Sequence, residues 1–163
     1  MSEGYILKQA EKSLPLKWYY DQSQFDLEVS KIWANDWFYV THESALNEPL
    51  SFVTVEVSKY NILLLKDRDG NINSYYNTCS HRGSVLQKDS SGKLKSNLLV
   101  CPYHQWSYNA SNGDLVRTTS INDPKDFDKE SNCLTKVNLK IWNGLIFVNL
   151  NKKAEWDAES VFV

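Results

Sequence analysis

The feature that most constrains this chain is a pair of short clusters, Cys79-x-His81 and Cys101-x-x-His104, with the residues from Arg82 to Val100 between them. Each cluster sets one thiol and one imidazole within two or three positions of each other, so two tight loops held side by side present two sulfurs and two nitrogens to one metal centre. A centre of that kind has to be held by the scaffold, which calls for loops that leave from rigid backbone ladders.

Two centres use these ligand types. A structural zinc accepts two Cys and two His, but such sites usually pair Cys with Cys in one knuckle and His with His three to five residues apart. Here each loop mixes the two types, which suits a two-iron cluster: each loop sends its Cys to one iron and its His to the other. The flanking residues, Cys79-Ser80-His81-Arg82-Gly83 and Cys101-Pro102-Tyr103-His104-Gln105-Trp106-Ser107-Tyr108, resemble the cluster loops of Rieske oxygenases, the ring-hydroxylating dioxygenase and demethylase α subunits.

That resemblance implies a Rieske-type [2Fe–2S] cluster with Cys79 and Cys101 as thiolate ligands and His81 and His104 as imidazole ligands, the His pair on the outer iron near the surface. Two ferric ions, two sulfides and two thiolates sum to zero charge, so adding an electron costs less than at a four-thiolate cluster. Around the ligands, Arg82 is either a solvated charge or a shaper of the loop and partner surface. Gly83 permits a backbone angle or close approach that a Cβ would block. Pro102 fixes φ beside its ligand, and Tyr103 and Trp106 are either core aromatics or a cover for the cluster. Gln105 departs from the family, in which most members have Gly there and Gln recurs in relatives acting on quaternary-ammonium substrates. Respiratory Rieske proteins brace their loops with a disulfide and place a Ser hydroxyl donor after the second His. Gly83 or Ser84, Tyr103 and Trp106 stand at those positions here, so neither a brace nor a donor to sulfur is expected, and the potential should lie toward the negative end of the Rieske range.

Taken in order, residues 1–22 read as an irregular arm packing Trp18, Tyr19 and Tyr20 onto the domain. Phe25, Val29, Ile32 and Trp33 have helical spacing, with Ser23 and Asp26 as a variant capping box and an end near Asn35. The pattern then changes to short β-type runs: Trp37 to Val40, the alternating Val53, Val55 and Val57, Tyr60 to Lys66, Ile72 to Asn77, Leu94 to Val100, Leu115 to Arg117, Val137 to Ile141, and Leu145 to Leu150. Asp69-Gly70 and Asn143-Gly144 mark hairpins, Ser111 to Asp114 a turn, and residues 120–132 a surface loop. The expected fold is all-β, an antiparallel Rieske-type sheet sandwich with one amino-terminal helix and both ligand loops at one tip. It forms a single domain over residues 1–163, with arm and helix over 1–36, sheets and loops over 37–150 and a tail over 151–163. The helix before Trp37, the Asp-Gly hairpin and Trp142 to Asn149 extend the resemblance across nearly the whole chain.

A net charge of −2 and a pI near 5.9 argue against a nucleic-acid or anionic-membrane partner. The start lacks a signal-peptide pattern and no apolar run is long enough to span a bilayer, which points to a cytoplasmic protein. With two of its three Cys assigned to the metal, only Cys133 remains, as a free thiol with a packing role. His42 reads as a structural residue at a strand end. Once His81 and His104 are assigned it is the only His left, too few for the two-His, one-carboxylate iron site that completes oxygenase chemistry. The expectation is therefore the electron-transfer domain of a Rieske oxygenase α subunit lacking its mononuclear-iron catalytic domain. It would take electrons from a reductase or ferredoxin and pass them to that iron on the same or a neighbouring subunit. A free-standing Rieske carrier and a zinc-stabilised binding module are the alternatives.

Overall fold

The computed structural model describes residues 12–119 and 124–157. Leu16–Tyr19 is a 3₁₀ turn and α1 spans Gln22–Glu28, continuing as a π-helical turn over Val29–Trp33. Ten strands follow: β1 Phe38–His42, β2 Ser51–Val57, β3 Tyr60–Lys66, β4 Ile72–Tyr76, β5 Ser91–Lys93, β6 Leu98–Val100, β7 Ser107–Asn109, β8 Leu115–Arg117, β9 Asn138–Trp142 and β10 Leu145–Asn149. They form three antiparallel sheets in the orders β1-β10-β9, β4-β3-β2-β5 and β6-β7-β8.

The four-stranded sheet is the middle layer because β3 is apolar on both faces. Alternate side chains of a strand point to opposite sides, and Ile62 and Leu64 join a core with Val53, Val57, Ile146 and Val148, while Leu63 and Leu65 join a second with Tyr75, Leu99, Trp106 and Tyr108. All four β3 side chains are fully buried. The run Ile62 to Leu65 is thus a strand covered on both sides, and the second core carries the two ligand loops.

Three details depart from the sequence reading. The helix is capped two residues earlier than expected: Asp21, not Ser23, is the N-cap, and its carboxylate accepts from the Ser23 and Gln24 amides at 2.8 and 3.3 Å. Of the arm, residues 1–11 lie outside the described residues, and Trp18, Tyr19 and Tyr20 are exposed rather than packed on the domain. The single strand expected over Leu94 to Val100 is broken after β5. Leu94 turns into the core, and Asn97 bonds Ser111 at 3.0 Å and takes the Ala110 amide on its carbonyl at 3.1 Å, which leaves only three residues to pair as β6.

The two hairpins form where the sequence places them. Asp67, almost fully buried, accepts the Asp69 and Asn71 amides at 3.0 and 2.8 Å, and Gly70 takes φ +90°. Asn143 and Gly144 both have positive φ, 47° and 80°, the requirement of a type I′ turn. His42 lies across Gly144, where an added Cβ would meet its ring, and its Nδ1 accepts the Ser44 amide at 3.1 Å to cap the turn over Glu43–Leu46. Gly144→Ala should therefore destabilise by about 2 kcal/mol through positive φ and overlap together, lowering the thermal midpoint by roughly 4 to 8 °C. Adding His42→Ala should recover part of that loss in equilibrium denaturation; no recovery would remove His42 from the account.

Candidate metal centre

The first ligand loop leaves β4 and is pinned at its base by Asn77, whose side chain donates to the Asn61 side chain and the Gln87 carbonyl at 2.8 and 2.7 Å and accepts the Gln87 amide at 2.9 Å. The second leaves β6 and returns as β7, the strand that the sequence reading passed over because Ser107-Tyr108-Asn109 is too short for a period to show. The two loops are built alike. Cys79 N–H donates to the Ser84 carbonyl and Cys101 N–H to the Trp106 carbonyl, both at 2.8 Å, and each Cys carbonyl accepts an amide four residues on, from Gly83 and from Gln105, both at 2.9 Å. Those two residues carry positive φ, +67° and +58°. Gln105 is thus the counterpart of Gly83, and the unusual Gln sits where the loop turns through the left-handed region that favours Gly.

This folding gathers the four expected ligands. The His81 and His104 rings lie 4.8 Å apart, and the Cys79 and Cys101 thiols are both buried in the same core. His104 Nδ1 is buried with no hydrogen-bond partner, an orphaned lone pair that a metal would satisfy. A tetrahedral zinc asks all four ligands to meet at one point, whereas a two-iron cluster asks for a sulfur pair and a nitrogen pair, and the donor set fits the second.

The residues around the ligands divide into a buried and an exposed group. Trp106 stacks on His81 at 4.4 Å and 8° and meets Phe127 edge-on at 5.8 Å, so it is a core aromatic that also lies flat against the His81 ring. Tyr103 is 61% exposed and leans on His104 at 3.7 Å. Arg82, Gly83 and Pro102 are exposed. Cys133 is half-buried and, like the fully buried Cys79 and Cys101, is not in a disulfide, so no disulfide braces the loops.

The expectation that no donor reaches sulfur is corrected by Tyr108, whose Oη lies 3.0 Å from Cys79 Sγ and 2.9 Å from Ser80 Oγ. Comparison of single loop positions missed it because the hydroxyl comes from the strand after the loop and reaches back across it. Burial holds the Tyr108 phenol well above its ordinary pKa, with Cys79 adding to the effect, so it remains a donor. Burial also raises the Cys79 thiol, against the Tyr108 hydroxyl and the His81 amide. At Cys101 burial is outweighed by the His104 and Tyr103 amides and by the Cys79 and Ser84 side chains, which together set its pKa below the usual thiol value. Burial, then His104 and Arg82, lower His81 and favour the neutral ring that binds metal.

Two loops on an antiparallel scaffold, one pair of buried thiols and one pair of half-buried imidazoles define an iron–sulfur electron-transfer domain. The chain belongs to the Rieske [2Fe–2S] domain family, whose model matches residues 36–134. It is 32% identical over 142 residues to the carnitine monooxygenase oxygenase subunit of Escherichia coli K12, covering 87% of this chain and 37% of that protein. It is 31% identical over 138 residues to the glycine betaine monooxygenase oxygenase subunit of Pseudomonas aeruginosa PAO1, covering 85% of this chain and 31% of that one. The apo crystal structure of the quaternary ammonium Rieske monooxygenase CntA superposes with a TM-score of 0.84 at 30% identity, over 91% of this chain and 43% of that one. The chain therefore spans about a third of the length of these curated relatives. Its cofactor is a Rieske-type [2Fe–2S] cluster, and a Rieske domain transfers electrons through it, as in oxygenase α subunits. Among the described residues no helix is long and apolar enough to cross a membrane.

Proposed function

We propose that Cys79, Cys101, His81 and His104 hold the cluster and that residues 1–163 act as one electron-transfer domain of a Rieske oxygenase. The observation that carries this is the paired donor set: two thiols buried in one core beside two imidazoles whose rings are 4.8 Å apart, one with an unpartnered buried nitrogen. When bound, the cluster supplies a one-electron couple. The chain's own residues hold it, exclude water through Trp106 and donate to its thiolate through Tyr108. The half-buried His edges give the electron a short path in and out, from a reductase or ferredoxin to a mononuclear iron centre outside these 163 residues, on the same or a neighbouring subunit. We carry the quaternary ammonium class of the relatives to the parent system as its substrate, supported by the same relatives and by Gln105.

The test is spectroscopic. The purified chain should carry about two irons, show a red-brown colour bleached by dithionite and give a Rieske electron-paramagnetic-resonance signal when reduced. It should cycle one electron per cluster with an artificial donor and convert no organic substrate by itself. A colourless protein with one zinc per chain would overturn the reading.

Tyr108→Phe removes the hydroxyl from Cys79 while leaving the ring in the core. A hydrogen bond to a charged acceptor is worth about 1.5 kcal/mol at its lower end, and the reduced centre gains more from it than the oxidised one. The midpoint should fall by roughly 40 to 60 mV, at 59 mV per tenfold in a one-electron couple. Protein-film voltammetry reads this, and an unchanged midpoint would show that Tyr108 does not donate to the cluster.

A further inference from the structure

Ser80 stands between Cys79 and His81, and its hydroxyl has two neighbours besides solvent: Tyr108 Oη at 2.9 Å and the Asn132 carbonyl at 2.5 Å. Three contacts run in a line, Cys79 Sγ to Tyr108 Oη to Ser80 Oγ to Asn132 O, and only two hydroxyl protons serve them. If Ser80 donates to Asn132, the single Tyr108 proton is divided between Cys79 Sγ and Ser80 Oγ. If Ser80 donates to Tyr108, the Tyr108 proton is committed to the sulfur, and donation along the line strengthens it.

The Asn132 carbonyl is a fixed acceptor rather than a passing one. Its turn over Glu130–Asn132 is held by Asp128, whose carboxylate accepts the Glu130 and Ser131 amides at 2.9 and 3.3 Å and whose carbonyl accepts Asn132 Nδ2 at 2.8 Å. Two residues further on, the Leu134 amide donates to the Gly113 carbonyl at 2.8 Å. In the second loop the residue after Cys101 is Pro102, which is exposed and has no hydroxyl, so no residue at that position plays the part of Ser80.

We propose that Ser80 is a hydroxyl switch for the donation to Cys79: its proton rests on the Asn132 carbonyl while the sulfur carries little charge and turns to Tyr108 Oη as negative charge on the sulfur rises. This rests on the reading that Cys79 is a cluster ligand. One electron arrives from an external one-electron donor, and no proton enters or leaves. The hydrogen bond to Asn132 breaks, the bond to Tyr108 forms, and the Tyr108 hydroxyl, keeping its proton, commits its hydrogen bond wholly to Cys79 Sγ. Ser80 is therefore a positioning residue, acting on the cluster through Tyr108.

The sign of one measurement separates this from simpler roles. A switch strengthens donation in the reduced state, so Ser80→Ala should shift the reduction equilibrium of the cluster-loaded chain about threefold to tenfold toward the oxidised form, a fall of about 30 to 60 mV. Ser80→Thr, which keeps the hydroxyl, should stay within about twofold of the parent, and Ser80→Ala in a Tyr108→Phe background should change nothing further. A raised potential would mean that Ser80 only competes for the Tyr108 proton, and an unchanged one that it only tethers the loop; either sinks the proposal. If Ser80→Ala fails to load its cluster, the parent chain labelled with carbonyl-¹³C asparagine decides. Its reduced-minus-oxidised infrared spectrum should show one asparagine carbonyl moving to higher frequency as it loses its donor, and no such band would overturn the switch. A parent chain without a Rieske resonance signal would refute the cluster reading itself, a different result from an intact signal with an unmoved potential.

Discussion

His104→Cys should strip the cluster from the chain or, where some remains, lower its midpoint by roughly 200 mV or more. Two effects act together. The imidazole reaches its buried, unpartnered Nδ1 into the site from a loop fixed by the Cys101–Trp106 and Gln105–Cys101 bonds, and a thiol on the same Cα is shorter. A fourth atom of the right type would thus sit in the wrong place. Where the loop does adjust, a third thiolate replaces a neutral ligand, and the added negative charge opposes the incoming electron. Four-thiolate plant-type clusters lie near −400 mV, against roughly −150 to +300 mV for Rieske centres, so one of the two substitutions should cover a large part of that interval. Iron content, the visible spectrum and voltammetry check the result together. A normal spectrum with an unmoved midpoint would mean that His104 is not a ligand.

How much of this was legible in the sequence depended on how local the cause was. Cys79-x-His81 and Cys101-x-x-His104 are local, and the hairpins at Gly70 and Gly144 are local too, because positive φ restricts the residue type at the turn itself. The β3 strand was legible as a continuous apolar run, though its placement as the middle layer needed both cores in view. Long-range pairings were not legible. Tyr108 reaches Cys79 across 29 residues and Ser80 reaches Asn132 across 52, with no sequence period joining them. The sequence therefore points to the position two after His104, where Trp106 stands, whereas the donor to sulfur lies on the next strand. The arm failed in the opposite way. Trp18, Tyr19 and Tyr20 are apolar enough to suggest burial, but composition fixes no partner surface, and these rings remain at least 42% exposed.

Trp106 is buried and also lies on the ring of a proposed ligand, so its removal should have the second large effect. The side chain is 7% exposed, stacked flat on His81 on one side and edge-on to Phe127 on another. Truncating a buried Trp to Ala typically costs about 3 to 5 kcal/mol, the transfer loss plus the cavity left behind. In a chain of 163 residues that corresponds to a fall in thermal midpoint of roughly 10 °C. The cavity would open beside His81, whose ring then loses the plane that fixes its orientation, and water would gain access to the thiolate pair through a shell that had been apolar. Trp106→Ala should therefore lose stability and also release iron several times faster in air. Trp106→Phe, keeping a ring over His81, should fall between it and the parent. Tyr103→Ala supplies the contrast: Tyr103 also touches the ring of a proposed ligand, His104, but it is 61% exposed, so its removal should leave the midpoint within about 2 °C because little buried area is lost. If Trp106→Ala matched Tyr103→Ala in both midpoint and iron release, contact with a ligand ring alone would explain nothing, and the burial argument for Trp106 would fail.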